Sequence, residues 1–374
     1  MNAPEKSSVA TAKRSSLRKI AFLAISQAHQ FLHWLPAALR LAKEPGVEVT
    51  VLVTTRGAAD FIRSYDPQKR LRIEQLWTPS LRGHGLFTPP LRWPVLLMNA
   101  TAIAHYPIVV TTEITSSLLR RLPNFQSKLI CLKHGAGDRE GGYRSRHRLF
   151  DLTLVTGEKD KQRLIERGLV TEENCVVTGY GKFELIRPTT ERLFIHDRPI
   201  ALYNPHFDKQ VGTWIRHGHA VVKMLEKIDE WNFVVAPHVK LRSGPTIRSK
   251  APNVLIDRGS IRSIDMTYTQ AADVYIGDAS SQVYEFIRTP RPCIFLNLDR
   301  VDWPANPAYS HWHFGQVIES VEELPSALAQ AKRLQRQFEE AQRKMAAASI
   351  DQSDVPASER QAQAILNFAR RADV

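Results

Sequence analysis

The sequence predicts an α/β protein with two Rossmann-like domains that face a cleft, followed by C-terminal helices. Two observations support this fold class. Short apolar runs alternate with helical patterns along most of the chain, as in parallel sheets with helical crossovers. The alternation starts again after a polar stretch near 187–198, and 374 residues are too many for one ordinary core and suit two.

The first half of the chain reads as a polar tail and a first domain. Residues 1–17 are polar and basic and predict a disordered tail, and the domain then spans 18–190. Its strands are expected in RKIAFLAIS, VEVTVLVTT, RLRIEQLW, HYPIVVTTE, KLICLKHG, LFDLTLVTG and NCVVTG. The segment HQFLHWLPAALRLAKEPG has apolar residues at helical spacing, and Pro36 should be tolerated only in its first turn. Residues 78–95, with several Pro and Gly, should form a loop.

The second half predicts a second domain over 191–320 and helices over 321–374. Strands are expected in RPIALYN, NFVVAPH, NVLIDRG, DVYIGD and RPCIFLN, and a helix is expected in SSQVYEFIRT. A long amphipathic helix should follow, with Ser320 and Glu323 as its capping box. A last helix is predicted near 357–371.

The charge and the cysteines limit the classes of function. The formal net charge is +13 and the pI about 9.7, which favours anionic partners. No zinc-finger spacing or aromatic RNA-binding signature is present, so we expect no nucleic acid partner. No run reaches the roughly 20 apolar residues of a membrane span, and no signal peptide is evident, so we expect a cytoplasmic protein. The three scattered cysteines predict buried thiols, and we assign neither a metal nor a cofactor.

Residues suited to catalysis and anion binding follow several predicted strands. Ligands of open parallel sheets bind beyond the carboxyl ends of the strands, so these are the positions that matter. A histidine there can act as a general base, and histidine with lysine suits a phosphate. The candidates after three of the strands are His134, Gly135, Asp138, His206, His238 and Lys240.

The segment DVYIGDASSQVYEF carries a fourth set of candidates. Asp278 follows the strand, and Ser280 and Ser281 precede a predicted helix that either serine could cap. The first turn of a helix offers free N–H groups to a phosphate. Glu285, one turn further on, could accept hydrogen bonds from a ribose.

These segments together resemble the CDP-glycerol glycerophosphotransferases. DVYIGDASSQVYEF followed by RPCIF resembles their nucleotide-binding signature, KHGAGD their His-Gly site, and YNPHF and APHVK their second-domain segments. The resemblance covers roughly residues 130–300. It departs from the family pattern at His206, Phe207 and Val239.

The resemblance implies a GT-B fold, with an acceptor domain first and a nucleotide-donor domain second. It implies that His134 is the base and that His238, Ser280 and Ser281 hold the donor phosphates. Asp278 and Glu285 would shape the nucleotide site. The reaction would move glycerol phosphate from CDP-glycerol to a hydroxyl acceptor on a lipid or polysaccharide, in bacterial envelope or capsule synthesis.

Three other functions remain open at this point. A glycosyltransferase would bind a nucleotide sugar in the same pocket, and a non-hydrolysing nucleotide-sugar epimerase shares the architecture, although we cannot assign its acidic residues. A non-enzymatic basic scaffold would explain the charge but not the strand-end histidines. Separately, the basic tail and Arg139, Arg144, Arg146 and Arg148 suggest peripheral contact with an anionic membrane surface.

Overall fold

The computed structural model describes residues 17–78, 84–138, 140–187, 192–241 and 245–374. The predicted tail and Arg139 therefore lie outside the described residues, apart from Leu17. The first sheet contains β1 (Arg18–Ala24), β2 (Val47–Val53), β3 (Arg72–Gln75), β4 (Ile108–Thr111), β5 (Lys128–Leu132), β6 (Leu152–Val155) and β7 (Cys175–Val177). The second contains β8 (Ile200–Asn204), β9 (Asn232–Val235), β10 (Val254–Ile256), β11 (Val274–Gly277), β12 (Cys293–Leu296) and β13 (Gln316–Ile318).

Both sheets are parallel and share one topology. Their strand orders are β3-β2-β1-β4-β5-β6-β7 and β10-β9-β8-β11-β12-β13. In each sheet the first strand pairs with the second strand on one side and with the fourth on the other. Later strands are therefore added outward from it in opposite directions. Such a switch point opens a crevice at the carboxyl ends of the strands. The α/β class with two Rossmann-like domains is confirmed.

The α-helices cover both faces of the sheets. They are α1 (Ala28–Leu41), α2 (Arg56–Arg63), α3 (Arg92–Met98), α4 (Ala100–Ile103), α5 (Glu158–Glu166), α6 (Trp214–Leu225), α7 (Thr267–Ala271), α8 (Val283–Phe286), α9 (Leu324–Ser349) and α10 (Ala357–Arg371). Short 3-10 helices occur at Ile114–Arg121, Glu140–Gly142, Ser145–Leu149, Gly181–Leu185, Ile261–Ser263, Pro307–Phe314 and Val321–Glu323. Among the described residues, no helix combines the length and apolar character needed to cross a bilayer.

Two local predictions from the sequence are wrong, and one strand was missed. Pro36 lies well inside α1 rather than in its first turn, and its ring is buried in the first core, where packing compensates for the lost N–H bond. The expected loop over 78–95 contains the start of α3, because Val95 and Leu96 give it a buried face. The strand β13 was not predicted, because only two of its three residues, Val317 and Ile318, are apolar.

The two C-terminal helices join the domains. The predicted capping box of Ser320 and Glu323 is present before α9. The first turns of α9 pack in the second core, and its last turn meets Gly157 of the first domain. α10 returns to the first domain, where Ile365 and Leu366 join the core around α1. This packing holds the carboxyl edges of the two sheets toward one another.

Candidate functional site

A cleft of about 550 Å³ lies between the two domains at the carboxyl ends of the strands. Its described lining contains six Lys or Arg, six His and only three Asp or Glu side chains. Such a wall favours an anionic ligand. In the described part of the chain, no group of three or more histidines, cysteines or carboxylates is arranged to hold a metal ion.

Most of the residues singled out in the sequence meet in this cleft. The cleft is lined by His134, Gly135, His206, His238, Lys240, Ser280, Ser281 and Glu285. The other two candidates, Asp138 and Asp278, are buried behind the walls and do not line it.

His134 is held as a neutral imidazole with a defined tautomer. Its Nδ1 lies 2.7 Å from the carbonyl oxygen of Thr112, which can only accept, so the ring proton is on Nδ1. Its Nε2 therefore carries the lone pair and accepts from the Gln30 amide at 3.2 Å. Burial, together with the positive charge of Lys240, lowers the pKa of His134 to about 3. The ring is therefore neutral, and Nε2 is its only atom that can accept a proton.

His206 and His238 have the opposite tautomer. Nδ1 of His238 accepts from the Lys240 backbone N–H at 3.1 Å, and Nδ1 of His206 accepts from the Asp208 N–H at 3.1 Å. In the neutral ring the proton must then be on Nε2. The two rings are 5.8 Å apart. The second-domain wall therefore presents imidazole donors, opposite the imidazole acceptor of the first domain.

The glycines after β5 allow the two walls to approach each other. Gly135 has a φ of 73°, a left-handed backbone that favours glycine. A Cβ at Gly137 would lie 2.6 Å from the Cβ of Ser281, well below a normal contact. The His134 loop and the serine pair are therefore packed directly against each other across the cleft.

The two serines differ in what they can offer. The Ser280 hydroxyl is buried and donates to Oδ1 of Asn204 at 2.7 Å, whereas Ser281 is exposed in the cleft. The expected capping is wrong: the residue before α8 is Gln282, and no side chain caps this helix of four residues. Because so short a helix has little dipole, any anion binding here depends on individual backbone N–H groups.

Asp138 bridges the two domains. Its carboxylate accepts from Lys159 at 2.8 Å and from the Tyr284 hydroxyl, and His311 Nδ1 lies 3.5 Å away. Burial opposes its ionisation, but His311 and Lys159 together keep the pKa of Asp138 well below its usual range. Since Lys159 belongs to the first domain and the other two belong to the second, Asp138 positions the walls rather than contacting a ligand.

Asp278 organises the turn that carries His206. Its carboxylate accepts from the backbone N–H of His206 at 2.9 Å, and from both the N–H and the hydroxyl of Thr213 at 2.7 and 2.8 Å. Burial raises the pKa of Asp278, although these donors oppose the shift. With its oxygens used in this way, Asp278 fixes a loop of the cleft from behind.

Glu285 forms a second buried bridge between the domains. Its carboxylate accepts from Lys182 at 2.7 and 2.9 Å and from the Tyr180 hydroxyl at 2.7 Å. The two partners follow β7 of the first sheet. All three side chains line the cleft. The ribose contact expected for Glu285 is therefore occupied by protein donors in this structure.

Several lining residues were not identified in the sequence. His29 and His33 begin α1 directly after β1, and the His29 ring lies 6.3 Å from that of His134 and 5.3 Å from that of His238. The Thr112 hydroxyl donates to the side-chain oxygen of Gln30 at 3.2 Å. The Gln30 amide and the Thr112 carbonyl oxygen in turn bond the two ring nitrogens of His134. The signal was available: HQFLH and the residues after β4 also lie at strand ends.

Comparisons with known proteins agree with this architecture. A UDP-GlcNAc 2-epimerase from Neisseria meningitidis has 14% identity and a TM-score of 0.67, and the alignment covers 93% of this chain and 100% of that one. The wall teichoic acid polymerase TagF has 12% identity and a TM-score of 0.64, with 96% and 90% coverage. The calicheamicin glycosyltransferase CalG4 has 14% identity and a TM-score of 0.56, with 95% and 98% coverage. At such identities the likeness concerns the fold.

The fold thus places the chain among proteins of GT-B-like architecture. No curated protein matches the chain significantly by sequence. Residues 192–367 match the family model of the CDP-glycerol:poly(glycerophosphate) glycerophosphotransferases. This match, over residues 192–367, confirms the resemblance to that family that the motifs indicated.

Proposed function

We propose that this enzyme transfers glycerol phosphate from CDP-glycerol to a hydroxyl acceptor, with His134 as the general base. The observation that carries the proposal is the opposed tautomers of the cleft histidines. His134 presents a lone pair from the first domain, whereas His206 and His238 present N–H donors from the second. One wall is suited to activate a hydroxyl, and the other to bind a diphosphate.

The reaction exchanges one phosphorus–oxygen bond for another. The acceptor hydroxyl replaces the Gln30 amide at Nε2 of His134 and loses its proton to that atom as its oxygen attacks the β-phosphorus. The bond between the β-phosphorus and the bridging oxygen breaks, and CMP leaves with the bonding electrons. Positioning and electrostatic stabilisation supply most of the catalysis in such transfers.

The second-domain wall neutralises the leaving group. His206, His238 and Lys240 line the same cleft, and in this proposal Nε2–H of the two histidines and the ammonium group of the lysine bind the diphosphate. Ser281 adds an exposed hydroxyl, while Ser280 holds Asn204 in place. Charged donors to phosphate oxygens make short, strong hydrogen bonds. Glu285 reaches the ribose when the donor displaces one of its present partners.

The partners follow from this chemistry. The donor is a cytidine diphosphate alcohol, and the acceptor is a hydroxyl group of a lipid or polysaccharide in the bacterial envelope or capsule. We place the enzyme at the inner face of the cell membrane, because the exposed Arg144 and Arg146 line the cleft and the exposed Arg148 follows them. Each basic residue near an anionic surface contributes about 1 kcal/mol.

Calorimetric titration tests the donor site. CDP-glycerol is titrated against CDP, UDP and UDP-sugars with the wild type, with His238→Ala, and with His219→Ala as a matched change of an exposed histidine outside the cleft lining. We expect selective binding of the cytidine compounds that His238→Ala weakens about tenfold or more and that His219→Ala leaves unchanged. Preference for a uridine sugar would contradict the proposal.

A further inference from the structure

The helix α3 exposes large apolar side chains that the proposed reaction does not use. Val95 and Leu96 on one side of α3 enter the first core. On the other side Trp93, Leu97 and Met98 are 55, 48 and 52% exposed. With two exposed neighbours they form a set that we call the α3 patch: Trp77, Leu91, Trp93, Leu97 and Met98.

The members of the α3 patch are joined in the structure. Leu91 directly precedes α3, and Asn99 directly follows it. The Asn99 side chain bonds both the backbone N–H and the backbone C=O of Trp77 at 2.8 Å, which fixes Trp77 beside the end of the helix. Trp77 itself follows β3 at the carboxyl edge of the first sheet. The patch is therefore one surface on the same edge as the cleft.

A helix that is apolar on all sides is normally buried. α3 is apolar on both faces, yet half of it faces solvent. Single exposed apolar residues are common on proteins, and Ile195 and Val355 are of that kind here. A contiguous group that contains two tryptophans instead marks an interaction surface.

Exposed basic side chains lie on two elements that are packed in series beside α3. The 3-10 helix Ile114–Arg121 packs against α3 and also against the 3-10 helix Ser145–Leu149. These neighbours expose Arg121, Arg144 and Arg146, for which the described residues provide no carboxylate partner. Arg92 of α3 also lines the cleft and contacts Glu113 at 3.6 Å. The patch thus combines an apolar centre, an arginine border and the cleft mouth.

We infer that the α3 patch docks on the surface of an anionic lipid bilayer. Tryptophan prefers the interface between headgroups and acyl chains, and arginines beside it pair with anionic headgroups. A second copy of the chain is a poorer occupant, because it would bring two arginine borders together on proteins that each carry a net charge of +13. This inference names the surface that makes the membrane contact of the proposed function. It rests on the proposed function only for the acceptor, because docking by the α3 patch would present the His134 side of the cleft to lipid-linked hydroxyl groups.

Vesicle co-sedimentation of the full chain tests this surface. The vesicles contain phosphatidylcholine alone or mixed with phosphatidylglycerol. The variant is Trp93→Ser with Leu97→Ser, and the matched control is Ile195→Ser, an 81% exposed apolar residue outside the patch. We expect the wild type and the control to bind the anionic vesicles, less so as salt increases, and the double variant to bind at least about tenfold more weakly.

Two parallel measurements separate the explanations. Calorimetry with CDP-glycerol reports the donor site: unchanged binding by the double variant shows that it is folded, and loss of vesicle binding then supports the inference. Absence of donor binding in the wild type, with vesicle binding intact, would contradict the proposed function and leave the docking surface standing. The inference is overturned if the double variant binds vesicles like the wild type, if the wild type binds none, or if light scattering shows a dimer that only the double variant lacks.

Discussion

Gly137→Ala tests how closely the two walls of the cleft must approach. The new Cβ would lie 2.6 Å from the Cβ of Ser281. Carbon atoms in ordinary contact are about 3.5–4.0 Å apart, so the loops must separate by roughly 1 Å. This separation falls between His134 and the wall that we propose to bind the diphosphate. Overpacking of this kind costs about 1–3 kcal/mol of stability, and a 1 Å misplacement of reacting groups can cost about 10²-fold in rate.

The assay is the initial rate of CMP release from CDP-glycerol, with thermal unfolding measured in parallel. Gly141→Ala is the matched control, because it lies in the same connection and no heavy atom of the described residues lies within 4 Å of its added Cβ. We expect Gly137→Ala to lose about 10²-fold in kcat while it remains folded, and Gly141→Ala to retain the wild-type rate. Equal rates for the two variants would refute the view that wall separation controls catalysis.

Three further predictions follow from the site. His134→Gln should lower kcat by about 10²–10⁴-fold with little change in donor affinity, measured by calorimetry; a fully active variant would exclude the base role. Lys182→Met leaves the Glu285 carboxylate buried without its cation and should lower the free energy of unfolding, measured by denaturant titration, by about 3–5 kcal/mol. The double variant with Glu285→Gln should regain part of this loss. An unchanged free energy of unfolding in Lys182→Met would contradict the bridge. Burial lowers the pKa of His33 and His134 in the folded state, so the unfolded chain binds more protons below about pH 6.5. The free energy of unfolding should therefore be highest above about pH 6.5 and fall as the pH drops toward about 4, by up to about 1.4 kcal/mol per pH unit for each histidine. A free energy of unfolding that does not change with pH over this range would refute the view that these histidines are buried in the neutral form.

The sequence was sufficient for the architecture, and eight of its ten candidate site residues line the cleft. Buried parallel strands are near-continuous apolar runs, so twelve of the thirteen strands could be located, and strand-end residues such as His134 and His238 then meet at one edge. The strand β13 was missed because its three residues include only two apolar ones, and the helix expected in SSQVYEFIRT is only the single turn of α8. The interior position of Pro36 depended on tertiary packing around α1.

The partners of the acidic residues could not be predicted. Asp138 and Glu285 were both read as ligand-binding groups, because polar residues at strand ends usually face the ligand. Their actual partners, among them Tyr284 and Lys182, come from the opposite domain at separations of more than 100 residues along the chain. The relative placement of two domains has no local sequence signal, so only the structure reveals these bridges.

The identity of the released nucleotide tests the central proposal most directly. CDP-glycerol is incubated with the enzyme and a membrane fraction that supplies acceptor hydroxyls, and the products are separated by anion-exchange chromatography, with His134→Gln as the control. Attack at the β-phosphorus breaks the bond to the bridging oxygen, so we predict that CMP accumulates in step with acceptor-bound glycerol phosphate and that the variant releases little. Release of CDP instead would mean that the bond to the alcohol carbon had broken and would contradict phosphoalcohol transfer.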